Sequence, residues 1–197
     1  LLGNIYKGKV VRVLPSMQAA FIDVGLSRTA FLHASDILSS PSAPMLKGAD
    51  MGETDISRLI RDGQEVLVQV IKEPLGNKGA RLTTFVTMPS RYLVMLPGRP
   101  TLGISARIEA EAERERLREL AIALLPDQVI NGYILRTAAE GASAEALEAD
   151  GLVLQKLWES IELKSKTAKA GDLVHEDLPL AVRIVRDMLH PDVDRVL

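Results

Sequence analysis

The feature that most limits the fold of this chain is a regular alternation of apolar and polar residues near its start. The stretch at 4–37 reads NIYKGKVVRVLPSMQAAFIDVGLSRTAFLHASDI, and turn-forming residues divide it into three short runs. A period of two residues places one side of each run on a core and the other side in water. The sequence therefore predicts short β-strands with one buried face.

Cations and aromatic rings share the outer side of these predicted strands. In the run at 20–24, Ile22 and Val24 lie on the core side by their spacing, which places Phe21 outside. Rings for stacking beside cations for phosphates are typical of proteins that bind single-stranded nucleic acid. The sequence therefore predicts a single-stranded RNA surface; the alternative is that the phenylalanines are core residues beside ordinary solvated lysines. The candidate side chains are Tyr6, Lys7, Lys9, Arg12, Phe21 and Phe31.

A further basic residue lies in a predicted hairpin turn. Residues 76–79 read GNKG between two apolar runs, a composition typical of tight turns. Lys78 would project from the tip of this turn. It either contacts a phosphate or is an ordinary exposed turn residue, and the spacing leaves both interpretations open.

The order of predicted elements indicates an α+β fold with two domains. Five strands in residues 1–87, with a long connection after the third, fit a five-stranded OB-fold barrel. The connection at 39–65 is predicted to be a mobile loop with one short helix at 56–62. From residue 88 onward, two strands and three amphipathic helices predict a small α+β domain. The predicted strands span 5–14, 18–24, 29–33, 66–72, 80–86, 92–96 and 130–137, and the later helices span 108–125, 143–161 and 178–189.

Composition excludes several classes of protein. The 197 residues contain no cysteine and three scattered histidines, which excludes disulfides and thiolate metal sites. No apolar run approaches the roughly 20 residues of a membrane span, and no secretion signal is visible, so we expect a cytoplasmic protein. The net charge is −2, although residues 1–89 hold ten Lys and Arg against eight Asp and Glu. Any attraction for phosphate must therefore come from the positions of individual basic side chains, since the net charge of the chain does not supply it. We assign no catalytic residue and no metal ligand, because no matching motif is present.

A second candidate site follows the predicted strand at 130–137. Arg136 and Thr137 end this strand, and a guanidinium beside a hydroxyl suits a terminal phosphate because arginine makes paired, charge-assisted hydrogen bonds. The alternative is an arginine that pairs with a surface carboxylate such as Glu140. Arg107 could likewise contact a phosphate or pair with Glu109.

These segments together resemble the N-terminal region of the ribonuclease E/ribonuclease G family of bacterial endoribonucleases. The sequences AFLHASDI and the arginine-rich ERERL are more similar to ribonuclease G than to ribonuclease E. The resemblance covers nearly the whole chain. It rests on NIYKGKVVRVLPSMQAAFIDVG (4–25), AFLHASDI (30–37), GNKGARLTT (76–84), SRYLVMLPG (90–98), ISARIE (104–109), LRTAAEG (135–141) and the helix at 143–161.

The resemblance implies a role for each part of the chain. Residues 1–87 would form an S1 domain, residues 88–180 a sensor of the RNA 5′ end, and residues 181–197 the start of an RNase H-like segment. Phe21, Phe31 and Lys78 fall on RNA-contacting positions of the family, and Lys7 falls on another basic contact. Arg136 and Thr137 fall on the pair that binds the 5′ monophosphate, with the Val94 backbone as a support. The chain departs from the family at Val24, where the family has tyrosine, and at Ser90, where it has glycine.

The resemblance also implies what this chain does not contain. The family's Mg²⁺ site, made of acidic residues, and its zinc-binding cysteine pair, which joins subunits, belong to downstream regions. We therefore expect a fragment that binds RNA, preferably 5′-monophosphorylated, and does not cut it. The parent protein is expected to be a homo-oligomeric endoribonuclease that processes rRNA and mRNA. The alternative is a stand-alone, non-catalytic S1 protein.

Overall fold

The structure is a computed structural model, and it describes residues 1–38 and 55–188. The chain forms two compact units. The first contains Leu1–Val86 together with Ile161–Asp177, and the second contains Thr87–Ser160 together with the described residues from Leu178 onward.

The first unit is built on a closed five-stranded β-barrel. Its strands follow the order β1-β2-β3-β5-β4, and β4 pairs back onto β1 to close the barrel. All of these pairings are antiparallel except the one between β3 and β5. This architecture confirms the predicted OB-type barrel. The elements are β1 (Ile5–Leu14), β2 (Ala19–Asp23), β3 (Ala30–His33), α1 (Ile56–Leu59), β4 (Glu65–Lys72) and β5 (Arg81–Thr83).

The barrel core is filled by the inward side chains of alternating strand residues. Ala20, Ile22 and Val24 are buried, whereas Phe21 and Asp23 are exposed, as the spacing of the run predicts. Gly8 permits close packing of the core, because a Cβ at this position would lie 2.5 Å from Cγ2 of Ile22. The other core residues include Val10, Leu32, Val68, Val70 and Leu82.

The second unit is built on a four-stranded sheet of order β6-β7-β9-β8 with helices packed on it. Leu117 and Ala121 of α2, and Leu147 and Leu154 of α3, are buried. The helical spacing of these residues therefore marks the faces that form the core. The elements are β6 (Met88–Pro89), β7 (Leu93–Leu96), β8 (Leu102–Ile104), α2 (Glu111–Leu124), β9 (Gly132–Leu135) and α3 (Ala144–Thr167), whose residues from Ile161 onward belong to the first unit.

Two further elements follow α3. The strand β10 (Leu173–His175) pairs antiparallel with the first residues of β1 and so belongs to the first unit. The helix α4 (Leu180–Met188) belongs to the second unit.

Several elements differ from those predicted. The strands β6, β8 and β10 are each two or three residues long, too short for a visible alternation, and the sequence analysis missed them. The predicted helix at 56–62 is the shorter α1. Most of the predicted mobile loop, residues 39–54, lies outside the described residues. The predicted domain limits at 87 and 180 stay predictions; the compact units divide the chain differently, because β10 pairs with β1.

Candidate nucleic-acid interface

A row of four side chains crosses the outer face of the barrel. Arg12 of β1 lies opposite Phe21 of β2, Phe21 lies opposite Phe31 of β3, and Phe31 lies beside Arg81 of β5. Adjacent strands are about 4.8 Å apart, so the row extends over roughly 14 Å. We call these four residues the aromatic row. It places two rings between two guanidinium groups.

An irregularity in β1 brings Arg12 into this row. The pairing of β1 with β2 shifts between Val10 and Arg12, so Val11 is an extra residue in the strand. Such a bulge changes which face the following side chains reach. Arg12 is exposed and forms no hydrogen bond or ion pair with the described part of the chain, so its guanidinium is available to a ligand.

The two phenylalanines are accessible from solvent. Phe21 is 37% exposed and Phe31 is partly exposed, so the alternative that both are core residues is wrong. His33 adds a third ring, whose centroid lies 6.5 Å from that of Phe31 at an interplanar angle of 32°. Neither His33 nor Arg81 could be selected from the sequence, because their contribution depends on the strand register.

The basic residues in and beside the aromatic row differ in how many partners hold their side chains. Lys9 is exposed and makes no ion pair within the described residues. Arg81 is held by Asp36, whose Oδ2 accepts hydrogen bonds from Nε at 3.2 Å and Nη2 at 2.8 Å. Lys9, beside the row, and Arg12, within it, are therefore exposed cations without a partner among the described residues, whereas Arg81 is held by Asp36.

Lys78 lies at the tip of a hairpin that packs on the loop between β2 and β3. Leu75 and Lys78 exchange backbone hydrogen bonds of 3.2 and 3.0 Å. A Cβ at Gly79 would lie 2.0 Å from the carbonyl oxygen of Thr29, so this close approach requires glycine. Arg28 donates from Nη1 to the Gly76 carbonyl at 2.6 Å. The hairpin thus brings Lys78 and Arg28 together, although the sequence analysis had not selected Arg28.

Two predicted RNA contacts have other positions than expected. Tyr6 is 5% exposed and belongs to the barrel core, on the inward side of β1 with Val10, so its selection as an RNA contact was wrong. Lys7 lies on the outer side, but its Nζ donates to the Ser165 carbonyl at 3.2 Å and lies 3.4 Å from Oε2 of Glu65. The Lys7 side chain is thus committed to contacts within the chain.

The second candidate site is built around Arg136, which directly follows β9. Its backbone N–H donates to the Tyr92 carbonyl at 2.7 Å. Its Nη1 donates to the carbonyls of Ser90 and Arg91 and to Oδ1 of Asp187, the last at 2.7 Å. Within the described residues, Nε and Nη2 have no hydrogen-bond partner. The guanidinium is therefore held at one corner, and its Nε–Nη2 edge is open for a bidentate anion.

Asp150 of α3 fixes the turn that holds Arg136. Its Oδ2 accepts hydrogen bonds from Oγ of Ser90 at 2.5 Å and from the backbone N–H groups of Tyr92 and Leu93 at 2.9 and 3.2 Å. The Ser90 oxygen in turn accepts a hydrogen bond from the Leu93 backbone N–H at 3.3 Å. This network places the two carbonyls that accept from Arg136. Nothing in the sequence pattern distinguishes Asp150 from other helical carboxylates.

A hydroxyl pair lies beside Arg136. Oγ1 of Thr137 and Oγ of Ser105 are 2.9 Å apart, and the Ser105 hydroxyl accepts from the Arg107 backbone N–H at 3.3 Å. These residues meet because β8 and β9 run parallel and end together. The Arg107 side chain is exposed. Val94 pairs with Ile134, so it lies within β7 rather than at the end where Arg136 and Thr137 are found.

Arg136 has a different carboxylate partner from the one considered in the sequence analysis. The ion pair is formed with Asp187 of α4 rather than with Glu140. Asp187 is also bound by Arg186, whose Nε and Nη2 lie 3.0 and 3.1 Å from its two oxygens. The hydrogen bond from Arg136, followed by that from Arg186, holds the pKa of the Asp187 carboxyl far below its usual value. Asp187 is thus ionised at neutral pH.

The described residues contain neither a metal-ligand cluster nor a membrane-spanning helix. No three His, Cys, Asp or Glu side chains in the described ranges lie close enough together to hold a metal ion. No helix within these ranges has the length and apolar composition that a membrane crossing requires.

Comparison with known proteins gives two family matches and a consistent set of relatives. Residues 2–85 match the S1 RNA binding domain, and residues 87–197 match the ribonuclease E/G family. Ribonuclease G from Salmonella typhimurium (strain SL1344) is 47% identical over 199 residues, and ribonuclease G from Escherichia coli (strain K12) is 46% identical over 199 residues. Both alignments cover 100% of this chain and 40% of the relative. Ribonuclease E from Escherichia coli (strain K12) is 42% identical over 195 residues, which cover 98% of this chain and 18% of the relative.

Proposed function

This chain belongs to the ribonuclease E/G family, and we propose that it is the RNA-binding and 5′-end-sensing part of a bacterial endoribonuclease that processes rRNA and mRNA. The chain spans about 40% of the length of the ribonuclease G relatives that it matches. The cleavage activity of the whole protein is therefore part of the proposal. The family match over residues 87–197 favours this function over that of a stand-alone S1 protein.

The observation that carries the proposal is the aromatic row. Two neighbouring rings, flanked by guanidinium groups, offer stacking surfaces for unpaired bases and charge for the phosphates between them. Stacking accepts every base, so we infer binding of single-stranded RNA with little sequence preference. Lys9 and Lys78 add phosphate contacts, whereas Lys7 would have to leave its contacts with Glu65 and Ser165 to reach a phosphate.

We further propose that the Arg136 site binds the RNA 5′ monophosphate. The open Nε–Nη2 edge of Arg136 would hold two phosphate oxygens, and the Thr137 hydroxyl would donate to a third. Arg107 would supply a second positive charge, and the Val94 backbone a supporting contact. A triphosphate carries more charge than these groups neutralise. The site would therefore favour a monophosphate over a triphosphate.

The remaining properties of the parent protein are proposed from the family resemblance. They are a homo-oligomeric state, a cytoplasmic location, and Mg²⁺ and Zn²⁺ bound by other parts of the protein. The described residues do not fit either metal, because they contain no suitable cluster of ligands.

The test is a comparison of RNA ends. The affinity of the 197-residue chain is measured for one short single-stranded RNA that carries either a 5′ monophosphate or a 5′ hydroxyl, by fluorescence anisotropy. We expect tighter binding of the phosphorylated RNA. Arg136→Lys keeps the charge but removes the bidentate edge, so it should lower the preference by about tenfold without changing the affinity for the hydroxyl form.

Arg118→Lys is the matched control, since Arg118 lies in the same unit and, among the residues that the structure describes, pairs with Glu115 alone. It should leave both affinities unchanged. Equal affinities of the unmodified chain for the two RNAs would refute the sensor role, and absence of RNA binding would refute the proposal as a whole.

A further inference from the structure

The residue proposed to bind the 5′ phosphate is already paired with an internal anion. Oδ1 of Asp187 lies 2.7 Å from Nη1 of Arg136, and the two side chains are 33% and 30% exposed. Solvent and a bound RNA end can therefore both reach this ion pair. Asp187 comes from α4, far along the chain from Arg136, and the sequence analysis had not selected it.

Asp187 is not required to orient Arg136. The same Nη1 donates to the carbonyls of Ser90 and Arg91, and Asp150 holds that turn in place. The backbone N–H of Arg136 is bound by Tyr92. These contacts remain if the charge of Asp187 is removed. The position of the guanidinium and the charge of its neighbour are thus separable properties.

Asp187 is itself held beside the site. Arg186 donates to both of its oxygens and is fixed through Nη1 on the Pro89 carbonyl at 2.9 Å. A phosphate on the open Nε–Nη2 edge of Arg136 would thus share the guanidinium with a carboxylate on Nη1. Two anions at such short separation repel each other, and a partly exposed position screens this repulsion only in part.

We propose that Asp187 is a specificity-determining residue, which competes electrostatically with the RNA 5′ end for Arg136 and penalises each additional negative charge on that end. The inference rests on the proposed function, because it requires that Arg136 bind the 5′ phosphate. A 5′ hydroxyl carries no charge and is unaffected. A triphosphate carries the most charge and is penalised most. The acidic neighbour thereby contributes to the preference for a monophosphate over a triphosphate.

The test compares three RNAs of one sequence that end in a 5′ hydroxyl, a 5′ monophosphate or a 5′ triphosphate. Asp187→Asn keeps the shape and one acceptor oxygen but removes the charge. We expect unchanged affinity for the hydroxyl form and about three- to fivefold tighter binding of the monophosphate, the effect of one partly exposed charge. The gain for the triphosphate should exceed the gain for the monophosphate.

Glu148→Gln removes one negative charge from an exposed position of the same unit and serves as the control for bulk charge. An equal gain in this control, or no gain or weaker binding of the monophosphate form by Asp187→Asn, would overturn the inference. So would equal gains for the monophosphate and the triphosphate. In the Arg136→Lys background, Asp187→Asn should have a reduced effect if the carboxylate acts through the guanidinium.

The two proposals fail in distinguishable ways. If Arg136→Lys leaves the monophosphate preference intact, the phosphate lies elsewhere and the proposed site is wrong. If Arg136→Lys abolishes the preference but Asp187→Asn changes nothing, the site stands and the competition by Asp187 is wrong.

Discussion

The outer face of the barrel in the first unit and the Arg136 site of the second unit hold their cations differently, although Arg81 of the aromatic row is itself held by Asp36. Arg12 and Lys9 make no hydrogen bond or ion pair with the described residues, so they are free to follow a phosphate backbone. Arg136 is held at one nitrogen by two carbonyls and a carboxylate. The difference shows how one chain can combine a surface that accepts any RNA sequence with a site that discriminates among RNA 5′ ends.

The entropic cost of binding differs accordingly. Long side chains on the barrel must lose rotamer freedom when they contact RNA, which reduces the net gain from each contact. Arg136 has already lost that freedom in the folded chain, so the geometry and the charge of the incoming anion decide how tightly it binds. We therefore expect the aromatic row to set the overall affinity and the Arg136 site to set the preference among 5′ ends.

The largest expected effect comes from removal of both rings of the aromatic row. Stacking contributes about 1–3 kcal/mol per base, so Phe21→Ala combined with Phe31→Ala should weaken RNA binding by at least about 30-fold. The loss should be equal for RNA with a 5′ phosphate and with a 5′ hydroxyl, as measured by fluorescence anisotropy. Met17→Ala, at another exposed apolar residue of this unit, is the control. A loss confined to the phosphorylated RNA would break the proposed division of roles.

A smaller effect is expected from the turn that supports Arg136. Asp150→Ala leaves the Ser90 hydroxyl and two backbone N–H groups without their acceptor, which should lower the free energy of unfolding by about 1–3 kcal/mol. The preference for a 5′ phosphate should fall by about threefold to tenfold, while affinity for the hydroxyl form stays constant. Unfolding can be followed by the fluorescence of Trp158, the single tryptophan, which lies in the same unit.

Glu148→Ala, two residues earlier on the exposed side of α3, is the control for Asp150→Ala. Its stability and its preference for 5′ ends should match those of the unmodified chain. If Asp150→Ala lowers stability but leaves the 5′ preference intact, the turn supports the fold and does not position Arg136.

The smallest effect is expected from a carboxylate that stabilises the second unit without contact to Arg136. Glu113 accepts hydrogen bonds from the Arg116 guanidinium at 2.6 and 2.7 Å and from the Gly141 N–H at 2.8 Å. These bonds, chiefly those from Arg116, lower the pKa of the Glu113 carboxyl to about 2. Because the folded-state pKa is below the unfolded value near 4.5, this stabilisation is present above pH 4.5 and is lost as the pH falls toward 2. Glu113→Gln should lower the Tm at neutral pH by about 2–4 °C and flatten its fall in acid.

Thermal unfolding between pH 7 and pH 3, followed by Trp158 fluorescence, measures this contribution. RNA affinities at neutral pH should be identical for Glu113→Gln and the unmodified chain. Parallel acid profiles would show that Glu113 does not stabilise the unit, and a changed 5′ preference would show that stability and recognition are coupled in this unit.

The barrel could be predicted from the sequence because a period of two residues reports directly which side of a strand is buried. The exposure of Phe21 between buried neighbours followed from this spacing alone. The same rule should have excluded Tyr6, which shares the inward side of β1 with Val10. The bulge at Val11 was not visible in the sequence, because an extra residue in a strand has no composition of its own.

The Arg136 site could be predicted only in part from the sequence. Its arginine and threonine are adjacent in the chain and could be selected together. Asp150 and Asp187 reach the site from α3 and α4, so their roles depend on packing between segments that the sequence does not connect. The same limit applies to β10, whose three residues gain their role only from pairing with β1.

The pairing of β10 with β1 has a consequence for the design of shorter proteins. Ile5 and Tyr6 pair with β4 on one side and with β10 on the other, and Lys7 exchanges backbone hydrogen bonds with Asp172 and Gly171. A truncated protein that ends at Val86 would expose this strand edge, and unpaired edges promote aggregation. A soluble minimal barrel therefore requires the segment Ile161–Asp177, either retained in the full chain or rejoined to the barrel by a short linker.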